Sequence, residues 1–450
     1  MRQMSIRALS LIAFTVVFVI GIFSLTYLSM TRGDDWTSFP ANRHIYKDGV
    51  MVNAGDITDR FGTVLATTEN GQRIFNDDYY TRLSTLHAVG DFNGFIKTGL
   101  ATAKWDKLTG YNKITGLYDA KKGGNNIKMT ISADLNTVAL KALGNYSGAV
   151  GVYNYKTGEM LCMVSSPSYD PNEKNEETDG IYINRFLSSS YPPGSTFKVV
   201  TTIAALETLP DAESREYDCD YGTYVDGELI SCMSKHHTVN LRDALAKSCN
   251  AYFSQLAIDL GADTMQKYAD KLGFNTPAEI DGITAKAGTV DLDKIRKVDL
   301  GWAGMGQYTD LANPLQYLTL MGAIAGGGKA AKPYMIDSIT TVEGIEIYRG
   351  GVSYTERMFS ESTATAVHAM MRNCVTSNYG DYRFPDLNVC AKTGTAEVDQ
   401  GVTPHSWFVG FVENNDCPLA FVVVAENAGA GVGVARTVAN KVLQAAKQIV

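Results

Sequence analysis

The 450-residue chain predicts an α+β fold: an antiparallel sheet carrying helices, preceded by a small β-rich module and one transmembrane helix. Three observations predict it. Apolar runs joined as hairpins lie at both ends of the stretch beginning near residue 147, with helical runs between them, and this segregation favours an antiparallel sheet. Residues 70–126 are rich in Gly, Asn, Asp and Tyr with little helical periodicity, the texture of a small loop-rich module. The first thirty residues contain one long uncharged run. A composition of 45% hydrophobic and 20% charged residues with a net charge of −8 suits two or more globular domains and argues against a nucleic-acid partner.

Residues 8–31 carry no charge, and at ~1.5 Å per residue such a run crosses a hydrocarbon core of about 30 Å. Arg2 and Arg7 precede it, while Asp34 and Asp35 follow. The positive-inside bias therefore places the N-terminus in the cytoplasm and the rest of the chain outside. A cleaved signal peptide is the competing reading. The run is long for one and no A-x-A-like site follows, so the expectation is an uncleaved single-pass anchor in the cell membrane. The division expected is a cytoplasmic tail (1–7), an anchor (8–31), a membrane-proximal module (32–146) and a main domain (147–450).

Residues 32–52 read as a polar irregular connection. Residues 54–66 form two short extended runs around a turn at Arg60-Phe61-Gly62, and 131–143 is helical, with Leu135, Val138, Ala139 and Ala142 at 3–4 spacing. Runs 148–155 and 159–165 make a hairpin on Lys156-Thr157-Gly158. Residues 170–180 are an acidic surface loop. Helices are expected over 240–260 as one run, 263–272, 313–326 with a stop at Gly326-Gly327-Gly328, and 360–374. Strands follow at 389–395, 405–413 and 418–426, then a turn with Gly429, Gly431 and Gly433 and a closing helix over 434–450.

Chemistry enters at Pro192-Pro193-Gly194-Ser195-Thr196-Phe197-Lys198. The prolines and glycine end what precedes, and the apolar run after Lys198 has the density of a buried helix. Ser195 therefore sits in a first helical turn, with Lys198 one helical step on and within reach of its hydroxyl. A lysine shielded from water serves as the base that a serine nucleophile needs. This is the only S-x-x-K in the chain, although alone it is equally an ordinary helix N-terminus. Ser248-Cys249-Asn250 is the only S-x-N: its hydroxyl suits proton relay and its amide suits holding a carbonyl or the lysine. K-T-G occurs three times, at Lys97, Lys156 and Lys392. The first lies in the membrane-proximal module and the second in a hairpin turn. Only Lys392-Thr393-Gly394-Thr395 is flanked by strand residues, where glycine admits a ligand and the lysine and threonines grip an anion.

Seven cysteines leave at least one unpaired. Cys219 and Cys232 flank a hairpin turning at Asp226-Gly227 and could pair in an oxidising compartment. Together with His236 and His237 they also make zinc conceivable, but the spacing fits no standard site, and no metal is expected.

Ser195-x-x-Lys198, Ser248-x-Asn250 and Lys392-Thr393-Gly394-Thr395, in that order, resemble the active site of penicillin-binding transpeptidases. The flanks of these motifs, residues 148–172, 313–316 and 405–411 also look like that family. Residues 56–66 resemble the strand that opens the pedestal of its class B members, the FtsI/PbpA kind. The pedestal is short for class B and no PASTA-like module follows. The resemblance implies a penicillin-binding/serine β-lactamase-like transpeptidase domain acting on the D-Ala-D-Ala end of peptidoglycan stem peptides. Ser195 would be the nucleophile, Lys198 the base, Ser248 the proton relay and Asn250 the orienting group. Lys392, Thr393, Gly394 and Thr395 would bind the substrate carboxylate, and β-lactams would acylate Ser195. No cofactor is implied; a membrane glycosyltransferase of the FtsW/RodA kind is a candidate partner. The alternatives are a D,D-carboxypeptidase, a serine β-lactamase (for which Glu279 is the nearest candidate base) and a non-turnover β-lactam sensor or divisome scaffold.

Overall fold

The computed structural model describes residues 5–37, 46–47, 50–51, 54–70, 72–91, 93–112, 117–118, 124–173, 179–397, 402–429 and 433–450. Much of the 32–52 connection and Gly431 therefore lie outside the described residues. Helix α1 (Ile6–Thr37) contains a stretch, Ile6–Ser29, long and apolar enough to cross a membrane. It continues past the apolar run through Arg32, Asp34 and Asp35, residues that read as irregular from sequence.

Six strands form the first sheet: β1 (Ile57–Thr58), β2 (Val64–Glu69), β3 (Gln72–Phe75), β4 (Asn126–Met129) and two from far downstream, Ile336–Thr340 and Glu346–Arg349. The order runs from Glu346–Arg349 through Ile336–Thr340, β4, β1 and β2 to β3, with only the β4–β1 pair parallel. The expected hairpin over 54–66 is β1–β2. Asp59, buried at its turn, accepts from the Phe61 and Thr63 N–H groups (both 2.9 Å) and from Ala133 N–H (3.1 Å). That carboxylate ties the hairpin to the first turn of α3 (Ala133–Leu143), whose N-cap is Ser132.

The segment that reads as loop-rich holds helix α2 (Tyr79–Val89). Its buried face includes Thr81, Ser84, Thr85 and His87, so the apolar period that announces a helix is absent. These polar groups are satisfied internally: Thr85 Oγ1 donates to Thr81 O (2.7 Å), and His87 Nε2 lies 2.8 Å from Ile181 O.

The second sheet has five antiparallel strands: β5 (Gly148–Asn154), β6 (Met160–Ser166), β7 (Val389–Ala396), β8 (His405–Val412) and β9 (Leu419–Ala425), in the order β6-β5-β9-β8-β7. β5, β6 and β9 are buried at every position, so both faces are covered. Helices Pro314–Ala325 and Glu361–Cys374 pack on this sheet, as do α3 and the closing helix Val434–Ala446. The α+β class and the antiparallel sheet are as the sequence predicts. The buried hydrophobic side chains of both sheets belong to one contiguous core.

The predicted 240–260 helix is two helices, Leu241–Lys247 and Asn250–Leu260, separated at Ser248. A small insert precedes them, pairing Glu216–Cys219 with His237–Asn240 and Gly222–Val225 with Glu228–Ser231.

Asp59→Ala strands three backbone donors beside a buried turn, and we expect it to lower unfolding free energy by about 1–3 kcal/mol. Asp59→Asn keeps an acceptor oxygen and should lose less. Urea denaturation measures both, and equal losses would remove the role assigned to the carboxylate.

Candidate active site

Ser195 stands in a single 3-10 turn, Gly194–Thr196, that runs into the helix Lys198–Thr208. Gly194 has φ +53°, and a Cβ there would run into the Thr395 carbonyl oxygen. The Ser195 turn is thus pressed against β7. A Cβ on Gly394 would lie 2.7 Å from Pro193 O and 2.9 Å from the Thr196 methyl, so glycine is needed on both sides of this contact. Trp407 Nε1 on β8 donates to Pro192 O (3.0 Å), Gly194 N–H donates to Gly306 O (2.9 Å), and Gln307 Nε2 reaches Thr395 O (3.4 Å). The pairs Ser195–Lys198 and Lys392–Thr395, about two hundred residues apart in sequence, are therefore rigidly adjacent.

Lys198 is fully buried. Its Nζ lies 3.0 Å from Ser195 Oγ, 2.8 Å from Ser248 O, 3.1 Å from Ser248 Oγ and 2.7 Å from Asn250 Oδ1. The Asn250 amide orientation is fixed from its other end, where Nδ2 donates to Ser231 O (2.8 Å). The helix break makes this possible. Ser248 adopts the left-handed conformation (φ 55°, ψ 43°), and its N–H and that of Cys249 close the preceding helix onto Leu245 O and Ala244 O. The Ser248 carbonyl then turns toward Lys198, and Asn250 begins a new helix. The sequence reading placed this motif within one continuous helix; the break that aims it has no glycine or proline to announce it.

Lys392, also fully buried, sends Nζ to Ser248 Oγ (3.2 Å), Tyr379 OH (3.4 Å) and Thr393 O (3.1 Å). Thr393 and Thr395 are half-buried on the other face of β7. All three motifs thus meet. The other two K-T-G matches do not: Lys156 is exposed in its hairpin turn, with Nζ on Asn415 Oδ1 (2.9 Å), and Gly99 caps the short helix Leu100–Ala103. Tyr379 escaped sequence reading. It lies in a π-turn after Glu361–Cys374 and touches Lys392, Thr393 N–H (3.3 Å) and Thr393 Oγ1 (3.1 Å). A lone tyrosine beyond a helix carries no signal of this in sequence.

Two lysine amines converging on one hydroxyl repel each other when both are charged. Burial, then the Lys392 charge, pushes Lys198 well below the usual lysine range, and burial lowers Lys392 to about 8. Among the described residues no carboxylate pairs with either amine. Glu279 is exposed in the separate hairpin Glu279–Ile280/Ile283–Thr284.

The Cys219 and Cys232 thiols are free, so the pairing considered from sequence is not made. They are instead gathered with His236 and Cys249, whereas His237 is exposed and outside the group.

A buried lysine between two serines, with a second lysine on the neighbouring strand, is the constellation of a serine acyl-transferase. Residues 148–444 match the family described as penicillin binding protein transpeptidase domain. The chain belongs to that family, in its class B, PbpA/FtsI-type form. Over 464 aligned residues it is 28% identical to the peptidoglycan D,D-transpeptidase PbpA of Mycolicibacterium smegmatis, covering 93% of each chain. The fold is similar to the crystal structure of PBPA from Mycobacterium tuberculosis, with a TM-score of 0.76 and 25% identity over 87% of this chain and 99% of that one. It is equally similar to the ceftriaxone acyl-enzyme complex of M. tuberculosis penicillin-binding protein A (TM-score 0.76, 25% identity, 87% and 98% of the two chains).

Tyr379→Phe removes the hydroxyl shared by Lys392 and Thr393. We expect it to slow penicillin acylation about fivefold, the equivalent of ~1 kcal/mol for one hydrogen-bonded partner, with little change in thermal midpoint. Labelling kinetics that match the parent would exclude a part for Tyr379 in the site.

Proposed function

We propose that this chain is a peptidoglycan D,D-transpeptidase that cross-links stem peptides through a Ser195 acyl-enzyme. The observation that carries the reading is the hydrogen-bond set of Lys198. Its two shortest contacts, to Ser248 O and Asn250 Oδ1, are to carbonyl oxygens that only accept. A neutral amine has two N–H bonds and one lone pair. With both N–H bonds spent on those carbonyls, the lone pair is left for the Ser195 hydroxyl at 3.0 Å.

Lys198 takes the Ser195 proton as Oγ attacks the carbonyl carbon of the penultimate D-Ala. The oxyanion is held by the backbone N–H groups of Ser195 and Thr395; the close approach of Gly194 to the Thr395 backbone supports this. The intermediate collapses, the C–N bond breaks, and the departing D-Ala amine receives a proton from Lys198 through Ser248, which touches both lysines. Asn250 keeps Lys198 aligned. Lys392 supplies the positive charge, and Thr393 and Thr395 the hydroxyls, for the terminal carboxylate. The amine of a neighbouring stem then attacks the acyl-enzyme and gives up its proton to Lys198; the new amide leaves and Ser195 regains its hydroxyl. A β-lactam takes the donor's place and is released slowly, because no carboxylate base stands beside the ester among the described residues.

Residues 1–7 lie in the cytoplasm, 8–31 anchor the chain in the cell membrane, and the module over 32–146 holds the transpeptidase domain, 147–450, on the outer side. Arg2 and Arg7 support that orientation. A membrane glycosyltransferase of the FtsW/RodA kind is the partner such an anchor suits.

The full chain incubated with fluorescent penicillin should carry a long-lived adduct that peptide mass spectrometry places on Ser195. With a stem pentapeptide and an acceptor amine it should yield cross-linked product; release of D-Ala alone would make it a carboxypeptidase, and rapid release of hydrolysed penicillin a β-lactamase. Lys198→Ala should slow acylation by at least ~10²-fold with the thermal midpoint nearly unchanged. Lys156→Ala should label normally, and a dead Lys156 variant would mean that the wrong K-T-G carries the anion site.

A further inference from the structure

Among the described residues, Tyr308 has the largest positive φ outside glycine, +83°. That conformation is unfavourable for a bulky side chain, and a fold keeps it only where the surroundings over-determine it. Here they do. On one side Gly306 O accepts from Gly194 N–H (2.9 Å), and Gln307 Nε2 reaches Thr395 O (3.4 Å). On the other, Leu311 exchanges backbone hydrogen bonds with Thr289 (both 2.8 Å), and Ala312 with Tyr191 (2.8 and 2.9 Å). Gly306 and Asp310 are buried, so Tyr308 and Thr309 are the exposed tip of a loop clamped on both sides. Tyr308 is 51% exposed, and among the described residues no hydrogen bond or ring contact engages its side chain. An exposed ring in this conformation does nothing for the fold that glycine would not do better.

What the ring adjoins follows from β7. This is an edge strand of its sheet, and the Thr395 carbonyl is turned toward Gly194 and Gln307. A residue in an antiparallel strand sends its N–H and C=O to the same side. The mechanism proposed above uses the Thr395 N–H for the oxyanion and the Thr395 hydroxyl for the donor carboxylate. The donor's acyl chain, on the other side of the reacting carbonyl, is then carried past the Thr395 carbonyl to Gln307 and the loop tip.

We propose that Tyr308 is a specificity-determining residue whose ring packs against the donor's acyl chain, on the residue that precedes the D-Ala-D-Ala end. The assignment rests on the function proposed above. The contact sets an apolar ring face against the acyl substituent, so a β-lactam without such a substituent gains nothing from it. The clamped loop holds the ring in place before substrate arrives, which removes the cost of ordering it on binding.

The test compares acylation of the full chain, in detergent, by penicillin G, which carries a phenylacetyl substituent, and by 6-aminopenicillanic acid, which carries none. Both rates are read by competition with fluorescent penicillin. Tyr308→Gly should slow penicillin G about tenfold more than it slows 6-aminopenicillanic acid. Its thermal midpoint should stay at or above the parent's, because glycine adopts a positive φ without strain. Tyr308→Phe keeps the ring and should keep the parent's ratio of the two rates. A Tyr308→Gly variant with the parent's ratio would overturn the proposal, since the residue would then only shape the loop. A Tyr308→Phe variant whose ratio falls as far as that of Tyr308→Gly would overturn it too, since the ring would not be the recognising group. A parent chain acylated by neither compound would overturn the Ser195 reading itself, whereas the two preceding outcomes leave that reading intact.

Discussion

A lysine amine with no access to water is the constraint on which the rest of this structure depends. Burying an ammonium without a counter-ion is unfavourable enough that the group gives up its proton instead. The fold arranges this for Lys198 by enclosing it among Ser195, Ser248 and Asn250 and by setting a second buried amine, Lys392, on the far side of the same Ser248 hydroxyl. One helix supplies the buried amine, one helix break supplies its acceptors, and one sheet edge supplies the second amine. None of the three is adjacent to another in sequence.

The five-stranded sheet provides the fixed frame. β7 is paired residue by residue with β8 through the whole Lys392–Thr395 stretch, and Trp407 on β8 reaches across to the backbone of Pro192. The Ser195 turn is therefore held by the strand pair that carries Lys392 and Thr395. The Ser248 break is held differently, by the closing of one short helix and the start of another, with a small insert behind it. This is the least self-sufficient part of the site, and it is where the thiols and His236 are gathered. Downstream strands at 336–349 complete the sheet that β1–β4 begin, so residues 57–129 and the transpeptidase domain share backbone hydrogen bonds as well as a core.

Most of the site was legible because its chemistry is concentrated in short motifs whose local structure is also encoded. Pro-Pro-Gly before Ser195 breaks the chain, and an apolar run after Lys198 buries the helix that carries it. Strand residues around Lys392 separate that K-T-G from its two decoys. What was not legible depended on tertiary contact. The helix Tyr79–Val89 buries threonines, serine and histidine, so it lacks an apolar period. The left-handed Ser248 is paid for by contacts with Lys198 that no local pattern reveals. Tyr379 reaches the site from a π-turn, and Cys249 joins Cys219, Cys232 and His236 only once the helix has broken. His237, beside His236 in sequence, points elsewhere.

The pH dependence of the penicillin acylation rate tests the central claim most directly, because the two lysines must be in opposite states. In the proposed mechanism Lys198 acts only when neutral, so the rate should rise with pH through a midpoint well below the usual lysine range. In the same mechanism Lys392 acts only when charged, so the rate should fall again as pH passes about 8. A bell with those two limbs is the predicted result. A rate that keeps climbing to the ordinary lysine value near 10.4 would mean that Lys198 stays protonated in the resting site, and the account of how Ser195 is activated would fail.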